Sequence, residues 1–127
     1  MMAHALIAEM LTTEWAKCAR GPDQYDCWGM VCAGCERMGW PKPRDPIPDW
    51  SGAAELRGVF GEELKPGEWV KSAAMDGAVA FWPDFARARH AGLVIAGGIL
   101  HTSQARGPEW VSLSSLTQEP EYMRWVS

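Results

Sequence analysis

The sequence changes character abruptly at Cys27, where a polar, turn-forming run gives way to an apolar helical pattern. Cys27, Val31 and Cys35 recur at i, i+4 and i+8, which is the spacing of one buried face of an α-helix. Gly21-Pro22-Asp23 forms a turn upstream, and Asp26 stands where a carboxylate accepts a hydrogen bond from the first helical turn. The pattern therefore predicts a buried helix that begins at about Cys27 and is capped by Asp26.

A cysteine at a helix N-terminus is a candidate nucleophile. The positive end of the helix dipole favours its thiolate, and the N–H groups of the first turn can stabilise an oxyanion. A nucleophilic thiol needs a base, which is most often histidine. His4 is interpreted as a solvated residue near the N-terminus, whereas His90 and His101 fall in two successive predicted strands. An ion pair of Cys27 and His90 predicts rapid thiol alkylation well below the pKa of a free cysteine.

The composition fits one domain that spans residues 1–127, since 127 residues with 47% hydrophobic content supply a single core. A net charge of −4 and a pI near 5.3 lack the basic surface that nucleic acid requires, so no nucleic-acid partner is expected. The N-terminus lacks the basic region of a signal peptide, and no apolar run is long enough for a transmembrane segment. A membrane partner is therefore not expected, and the four cysteines are expected to stay reduced.

Helical patterns occupy the first half of the chain and extended patterns the second. The predicted helices are His4–Cys18, Cys27 to about Gly39, and a short helix from Ser51 to about Phe60, with a proline-rich surface loop from Pro41 to Trp50. The predicted strands are 69–71, 77–82, 90–95, 99–102, 110–113 and 122–126. This order predicts an α+β fold in which an antiparallel sheet carries the helices on one face.

The register of the predicted hairpin at Gly97-Gly98 determines how the two histidines meet. If Ile95 and Ile99 bracket the turn, the numbers of facing residues sum to about 194, and His90 and His101 are neighbours along the sheet. Whether they share a face depends on the parity of that register, which the sequence leaves open.

Four segments, in order, carry a resemblance to a known family. They are Tyr25-Asp26-Cys27-Trp28-Gly29-Met30-Val31, Asp76-Gly77-Ala78-Val79-Ala80-Phe81, Arg89-His90-Ala91-Gly92-Leu93-Val94 and Gly98-Ile99-Leu100-His101. In order and spacing they resemble the NlpC/P60 family of papain-like cysteine peptidases, and with the ending Tyr122-Met123-Arg124-Trp125 they resemble its phage-tail members. The resemblance implies a papain-like NlpC/P60 fold, with N-terminal helices packed on a central antiparallel β-sheet of about five strands.

The resemblance also implies roles for individual residues. Cys27 would attack the carbonyl carbon, His90 would serve as base and then acid, and His101 would orient His90. The implied substrate is the peptidoglycan stem peptide, whose free amino end Asp26 would help to hold. One departure is Trp28, since family members usually carry a small serine directly after the cysteine.

The family's setting gives further expectations. The implied protein is a tail-associated cell-wall hydrolase, located in the virion tail or in the host cytoplasm during assembly. It would require no cofactor and would have other tail proteins as possible partners. Gln24, Tyr25 and Trp28 are additional candidates for substrate binding, although packing explains the two aromatic residues equally well.

Three alternatives stay open. Cys27-x4-Cys32-x2-Cys35 matches three ligands of one iron–sulfur spacing, and Cys32-x2-Cys35 could form half of a zinc site, but the helical pattern favours buried cysteines and no metal. The fold could serve as a non-catalytic structural or adaptor component of a tail. A papain-like acyltransferase would use the same Cys27 and His90 dyad.

Overall fold

The helix that carries the cysteine, α2, spans Cys27–Met38 in the computed structural model, which describes residues 1–45 and 68–126. Asp26 caps it, and Gly39, with a φ of 74°, ends it in the left-handed conformation that glycine adopts readily. The predicted start, cap and end of this helix are thus confirmed. The predicted helix from Ser51 to Phe60 and residues 46–50 of the proline-rich loop lie outside the described residues.

A six-stranded antiparallel sheet forms the second half of the described chain, in the spatial order β3-β8-β4-β5-β6-β7. Its strands are β3 (Trp69–Lys71), β4 (Val79–Trp82), β5 (His90–Ile95), β6 (Gly98–Ser103), β7 (Gly107–Ser112) and β8 (Glu121–Trp125). Each strand overlaps a segment predicted from the sequence, and the α+β class is confirmed.

Helix α2 packs on one face of this sheet. Leu93 of β5 and Leu100 of β6 face it, and Gly34 lets the helix approach, since a Cβ atom at Gly34 would lie 2.5 Å from Leu93 Cδ2. Val94 and Ile99 point to the other face, where Leu113 and Leu116 cover them. The sheet is therefore buried on both faces, which explains why β5 and the first half of β6 are apolar.

The first helix is shorter than predicted. Helix α1 spans Ala3–Met10, not His4–Cys18, and packs Leu6 and Met10 into the core. Thr12 and Thr13 end it, because their hydroxyls donate to the carbonyls of Glu9 and Met10 at 2.7 and 2.6 Å. The chain then extends, and β1 (Glu14–Trp15) pairs in parallel with β2 (Gln24–Tyr25) directly before α2.

No helix among residues 1–45 and 68–126 is both long enough and apolar enough to cross a membrane.

Gly29 gives a test of how the start of α2 is seated. A Cβ atom at Gly29 would clash with the backbone carbonyl oxygen of Ala19. We expect Gly29→Ala to lower the free energy of unfolding by about 1–3 kcal/mol, despite the higher helix propensity of alanine. Urea denaturation measures the change. The matched control is Gly34→Ala, whose Cβ atom meets only side-chain atoms, those of Leu93 and Leu6, and whose cost should be smaller; the reverse order would contradict this packing.

Candidate active site

Asp26 fixes the start of α2 and thereby the position of Cys27. Its Oδ1 accepts the Gly29 N–H at 2.7 Å, and Arg20 Nη1 donates to the same oxygen at 2.7 Å. Arg20 also donates to Asp45, which ties the preceding loop to the segment after the helix. The carboxylate is only 1% exposed, so its charge is balanced inside the protein by Arg20.

Cys27 is the first residue of α2 and is 6% exposed. The backbone N–H groups of Ala91 and Trp28 lie near its sulfur and favour the thiolate, which lowers the pKa of the thiol against the larger effect of burial. Ala91 directly follows His90, so the thiol lies beside the peptide unit that joins the two residues.

The divergence of β5 from β6 explains this contact. Val94 donates its N–H to the carbonyl oxygen of Ala78, which precedes β4. Successive residues of an antiparallel strand bond to opposite sides, so Ala91 directs its N–H toward β6. The paired register of β5 and β6 begins only at Leu93–Leu100, whereas β6 stays paired with β7 as far as Ser103–Gly107. The Ala91 N–H thus lies outside the paired register of β5 and β6, near the sulfur of Cys27.

The two histidines meet on one face of the sheet. Leu93 faces Leu100 and Val94 faces Ile99, so the residue numbers sum to 193, not about 194. His101 therefore lies beside Gly92, on the same face as His90, and His90 Nε2 is 2.8 Å from His101 Nδ1. This register supplies the parity that the sequence leaves open.

Two further residues complete the site. His101 Nε2 lies 3.2 Å from Glu109 Oε1, since His101 and Glu109 are paired across β6 and β7. The Trp82 ring stacks on His90 with centroids 5.4 Å apart and an interplanar angle of 28°. Neither residue was predicted from the sequence. Trp82 lies in the predicted strand directly before the His90 strand, and Glu109 follows the turn-forming Gly107-Pro108, but both contacts depend on strand register.

Burial sets the protonation of the pair. It raises the pKa of the Cys27 thiol to about 12, with a smaller contribution from the negative charge of Asp26. It lowers the pKa of His90 to about 4, helped by His101, and it also lowers the pKa of His101. Burial therefore favours a neutral thiol and a neutral imidazole at rest, whereas the dipole of α2 favours the thiolate.

Open cavities lie on the histidine side of the site. One of about 390 Å³ and one of about 350 Å³ both include Trp82, His90 and Gln118 in their walls. The larger also contains His101, Glu109 and Arg106, and the smaller contains Arg87 and Arg89. Each cavity thus pairs a catalytic-type imidazole with at least one arginine.

The predicted substrate-binding side chains do not line the two cavities beside His90. Tyr25 and Trp28 are 2% and 3% exposed because their rings pack in the core, Trp28 against Trp69 and Phe81. Asp26 is buried, with Oδ1 bonded to the helix cap and to Arg20 and with Oδ2 without a hydrogen-bond partner among the described residues, and Gln24 is exposed in β2. Neither His90 cavity is lined by any of these four residues. Tyr25 borders a separate cavity, of about 500 Å³, with Arg20 and Arg37.

The remaining cysteines fit a packing role. Cys32 and Cys35 are 3% and 1% exposed on the buried face of α2, and burial raises the pKa of both thiols. Among residues 1–45 and 68–126, no group of three or more His, Cys, Asp or Glu side chains is arranged to hold a metal ion.

The described chain is thus an α+β protein in which a helix that begins at Cys27 packs on an antiparallel sheet, and neighbouring strands of that sheet carry two hydrogen-bonded histidines. Comparison with known proteins identifies this fold more closely. No family model and no curated protein sequence matches the chain. Solved structures do match it, and those of NlpC/P60 domains are among them.

NlpC1 from Trichomonas vaginalis has a TM-score of 0.61 and 19% identity over 98% of this chain and 44% of its own. NlpC2 from the same organism has a TM-score of 0.61 and 18% identity over 97% of this chain and 45% of its own. The NlpC/p60 domain of the peptidoglycan hydrolase SagA has a TM-score of 0.60 and 17% identity over 99% of this chain and 100% of its own. The chain thus spans less than half of each Trichomonas protein and all of the SagA domain. It has the NlpC/P60 fold.

Gly92 tests the contact between the histidines. A Cβ atom there would lie 2.5 Å from Ile99 Cγ2 and 3.0 Å from His101 Cβ. We expect Gly92→Ala to displace His101 from His90 and to slow iodoacetamide labelling of Cys27 by about tenfold or more, a fraction of what a general base contributes.

The control for this variant is Gly98→Ala, which crowds Trp110 at the other end of β6. It should cost stability without slowing the labelling of Cys27. Equal labelling rates in the two folded variants would contradict the proposed dependence on Gly92.

The buried imidazoles predict a pH dependence of stability. In the unfolded chain histidine has a pKa of about 6.5, whereas His90 in the folded protein has a pKa of about 4. Between these values the unfolded chain binds more protons, so the free energy of unfolding falls as the pH drops through this window. We expect His90→Gln to remove on the order of 2 kcal/mol of that fall. Urea denaturation at pH 4.5 and 7 measures it, with exposed His4→Gln as the control; equal slopes would contradict a neutral buried His90.

Proposed function

We propose that this chain is a cysteine peptidase of the NlpC/P60 type that hydrolyses amide bonds in peptidoglycan stem peptides, with Cys27, His90 and His101 as its triad. The observation that carries the proposal is the convergence of a thiol at a helix start with two hydrogen-bonded imidazoles on one sheet. A sheet that served packing alone would have no need of two imidazoles 2.8 Å apart beside a thiol.

In the first half of the reaction, His90 Nδ1 takes the proton of Cys27 as the sulfur attacks the carbonyl carbon. A C–S bond forms, and the π electrons of the carbonyl move to its oxygen. The C–N bond then breaks, the amine leaves with the proton held by His90, and a thioester remains on Cys27.

In the second half, His90 takes a proton from water as its oxygen attacks the thioester carbon. The C–S bond breaks, the carboxylic acid product leaves, and His90 returns the proton to the sulfur. His101 holds the imidazole in place throughout. Because the neutral resting pair gives no preformed thiolate, proton transfer accompanies the attack.

The first turn of α2 supplies the oxyanion donors in this proposal. Gly29 N–H already bonds to the Asp26 side chain, and Met30 N–H bonds to the Asp26 carbonyl oxygen. The developing oxyanion therefore takes a hydrogen bond from the N–H group of Cys27, while the Trp28 N–H is directed at the sulfur of Cys27.

Two observations support the proposed substrate, namely the arginines of the cavities beside His90 and the similarity to a solved structure. Arg87, Arg89 and Arg106 line the two cavities beside His90, and they suit the carboxylates of an acidic peptide. One structural neighbour is the NlpC/p60 domain of a peptidoglycan hydrolase. Since Asp26 is buried and paired with Arg20, we assign it to the helix cap and not to the amino end of the substrate.

The biological setting is proposed from the sequence. The ending Tyr122-Met123-Arg124-Trp125 resembles that of tail-type members, and we propose a phage-tail component that opens the cell wall locally and contacts other tail proteins.

The test is digestion of purified muropeptides, with mass spectrometry of the products. We expect Cys27→Ala to abolish cleavage, with a loss of several orders of magnitude, because it removes the nucleophile. Cys32→Ala is the matched control, since this cysteine is buried in the core away from the histidines and should leave the cleavage rate largely unchanged.

Other outcomes would favour the alternatives. No cleavage by the wild-type chain, with Cys27 inert to iodoacetamide, would favour a non-catalytic tail module. Transfer of the acyl group to an added amine in preference to water would favour an acyltransferase.

A further inference from the structure

Beyond the triad, the side chain of Glu109 extends the line of hydrogen bonds that starts at His90. His90 Nε2 lies 2.8 Å from His101 Nδ1, and His101 Nε2 lies 3.2 Å from Glu109 Oε1. We propose that Glu109 is a positioning residue that fixes the tautomers of both histidines and so leaves the Nδ1 lone pair of His90 available to Cys27. The inference rests on the proposed function for its catalytic meaning, but the tautomers themselves can be measured without any substrate.

The carboxylate of Glu109 determines which nitrogen of His101 carries a proton. An ionised Glu109 only accepts hydrogen bonds, so the His101 nitrogen that faces it, Nε2, must carry a proton. When His101 is neutral, its Nδ1 then has a lone pair and no proton. Nδ1 can therefore only accept, and the His90 nitrogen that faces it must donate.

The same rule determines which nitrogen of His90 carries a proton. Its Nε2 carries the proton that goes to His101, so in the neutral ring Nδ1 is the unprotonated nitrogen. A general base needs a lone pair directed at the thiol, and Nδ1 is the nitrogen that His101 leaves for this purpose. Reversing the donor at the end of the line would reverse both rings and place a proton on Nδ1.

The fold holds Glu109 in place for this role. Glu109 and His101 are paired residues of β7 and β6, so their side chains share a face. Arg106 Nη1 lies 3.8 Å from the same Oε1, so a positive charge faces the carboxylate. His90, Glu109 and Arg106 are the charged or titratable groups that face His101, and Glu109 opposes the effect of burial on the pKa of His101.

The experiment is ¹⁵N NMR of the full chain with labelled histidine at pH 7.5, in which two-bond ¹H–¹⁵N correlations identify the protonated nitrogen of each ring. In the wild-type protein we expect protonated Nε2 on both His90 and His101. Glu109→Gln keeps a carbonyl oxygen that can accept from Nε2, so this conservative variant should retain both tautomers. Glu109→Lys places a donor at the same point and should move both rings to the Nδ1-protonated form, while exposed His4 stays unchanged.

Labelling of Cys27 by iodoacetamide supplies the functional readout. We expect Glu109→Gln to stay within about threefold of wild type and Glu109→Lys to be slower by about 100-fold, the lower end of what a general base contributes. The matched control for charge is Glu36→Lys, at an exposed position of α2 whose partner is Lys42. It should alter neither the tautomers nor the labelling rate.

Unchanged tautomers in Glu109→Lys, or equal slowing by Glu36→Lys, would overturn the proposal. If Glu109→Lys fails to fold, Glu109→Ala provides the decision, because a wild-type tautomer that persists without any acceptor at residue 109 refutes the role. Failure of the proposed function looks different. The tautomers would respond as described while muropeptides remain uncleaved by the wild-type chain.

Discussion

The hydrogen bonds of one buried carboxylate, that of Asp26, hold the rest of the site in place. The same oxygen accepts from Gly29 and from Arg20, so it caps α2 and balances its own charge at once. A buried carboxylate without these partners would be costly, and the start of α2 would lose its anchor to the preceding loop. Since Cys27 is the next residue, its position relative to Ala91 and the sheet depends on this cap. Asp26 therefore supports the structure of the site, and the substrate role that the family resemblance gives it stays a prediction.

The histidines depend on a different constraint, the register of β5 with β6. A shift by one residue would turn His101 to the face that packs on α2, where Leu93 and Leu100 now lie. In the observed register Gly92 lies beside His101. Because Gly92 has no side chain, it leaves room for the side chain of His101 next to β5. Where β6 leaves β5 to follow β7, the Ala91 N–H turns to the sulfur of Cys27. The separation of β6 from β5 thus places the thiol near the end of β5 that carries His90.

Burial gives this site its chemical character. The thiol and both imidazoles are held in surroundings that penalise charge, which raises the pKa of Cys27 and lowers those of His90 and His101. In the proposed reaction the site would pass through a charged state. The N–H groups near the sulfur and the carboxylate of Glu109 beyond His101 are placed to stabilise that state.

The sequence by itself determined the start, cap and end of α2, the approximate strands and the α+β class. These features rest on local periodicity, capping and turn chemistry, which short stretches of chain encode directly. It did not determine that α1 ends at Met10, because the Thr12 and Thr13 hydroxyls compete with the helix over a pattern that otherwise reads as amphipathic. The face shared by the histidines, the burial of Tyr25 and Trp28, and the contacts of Trp82 and Glu109 were decided only by the tertiary structure. All of these depend on which strands pair and in which register, and pairing between distant segments is a property of the assembled core.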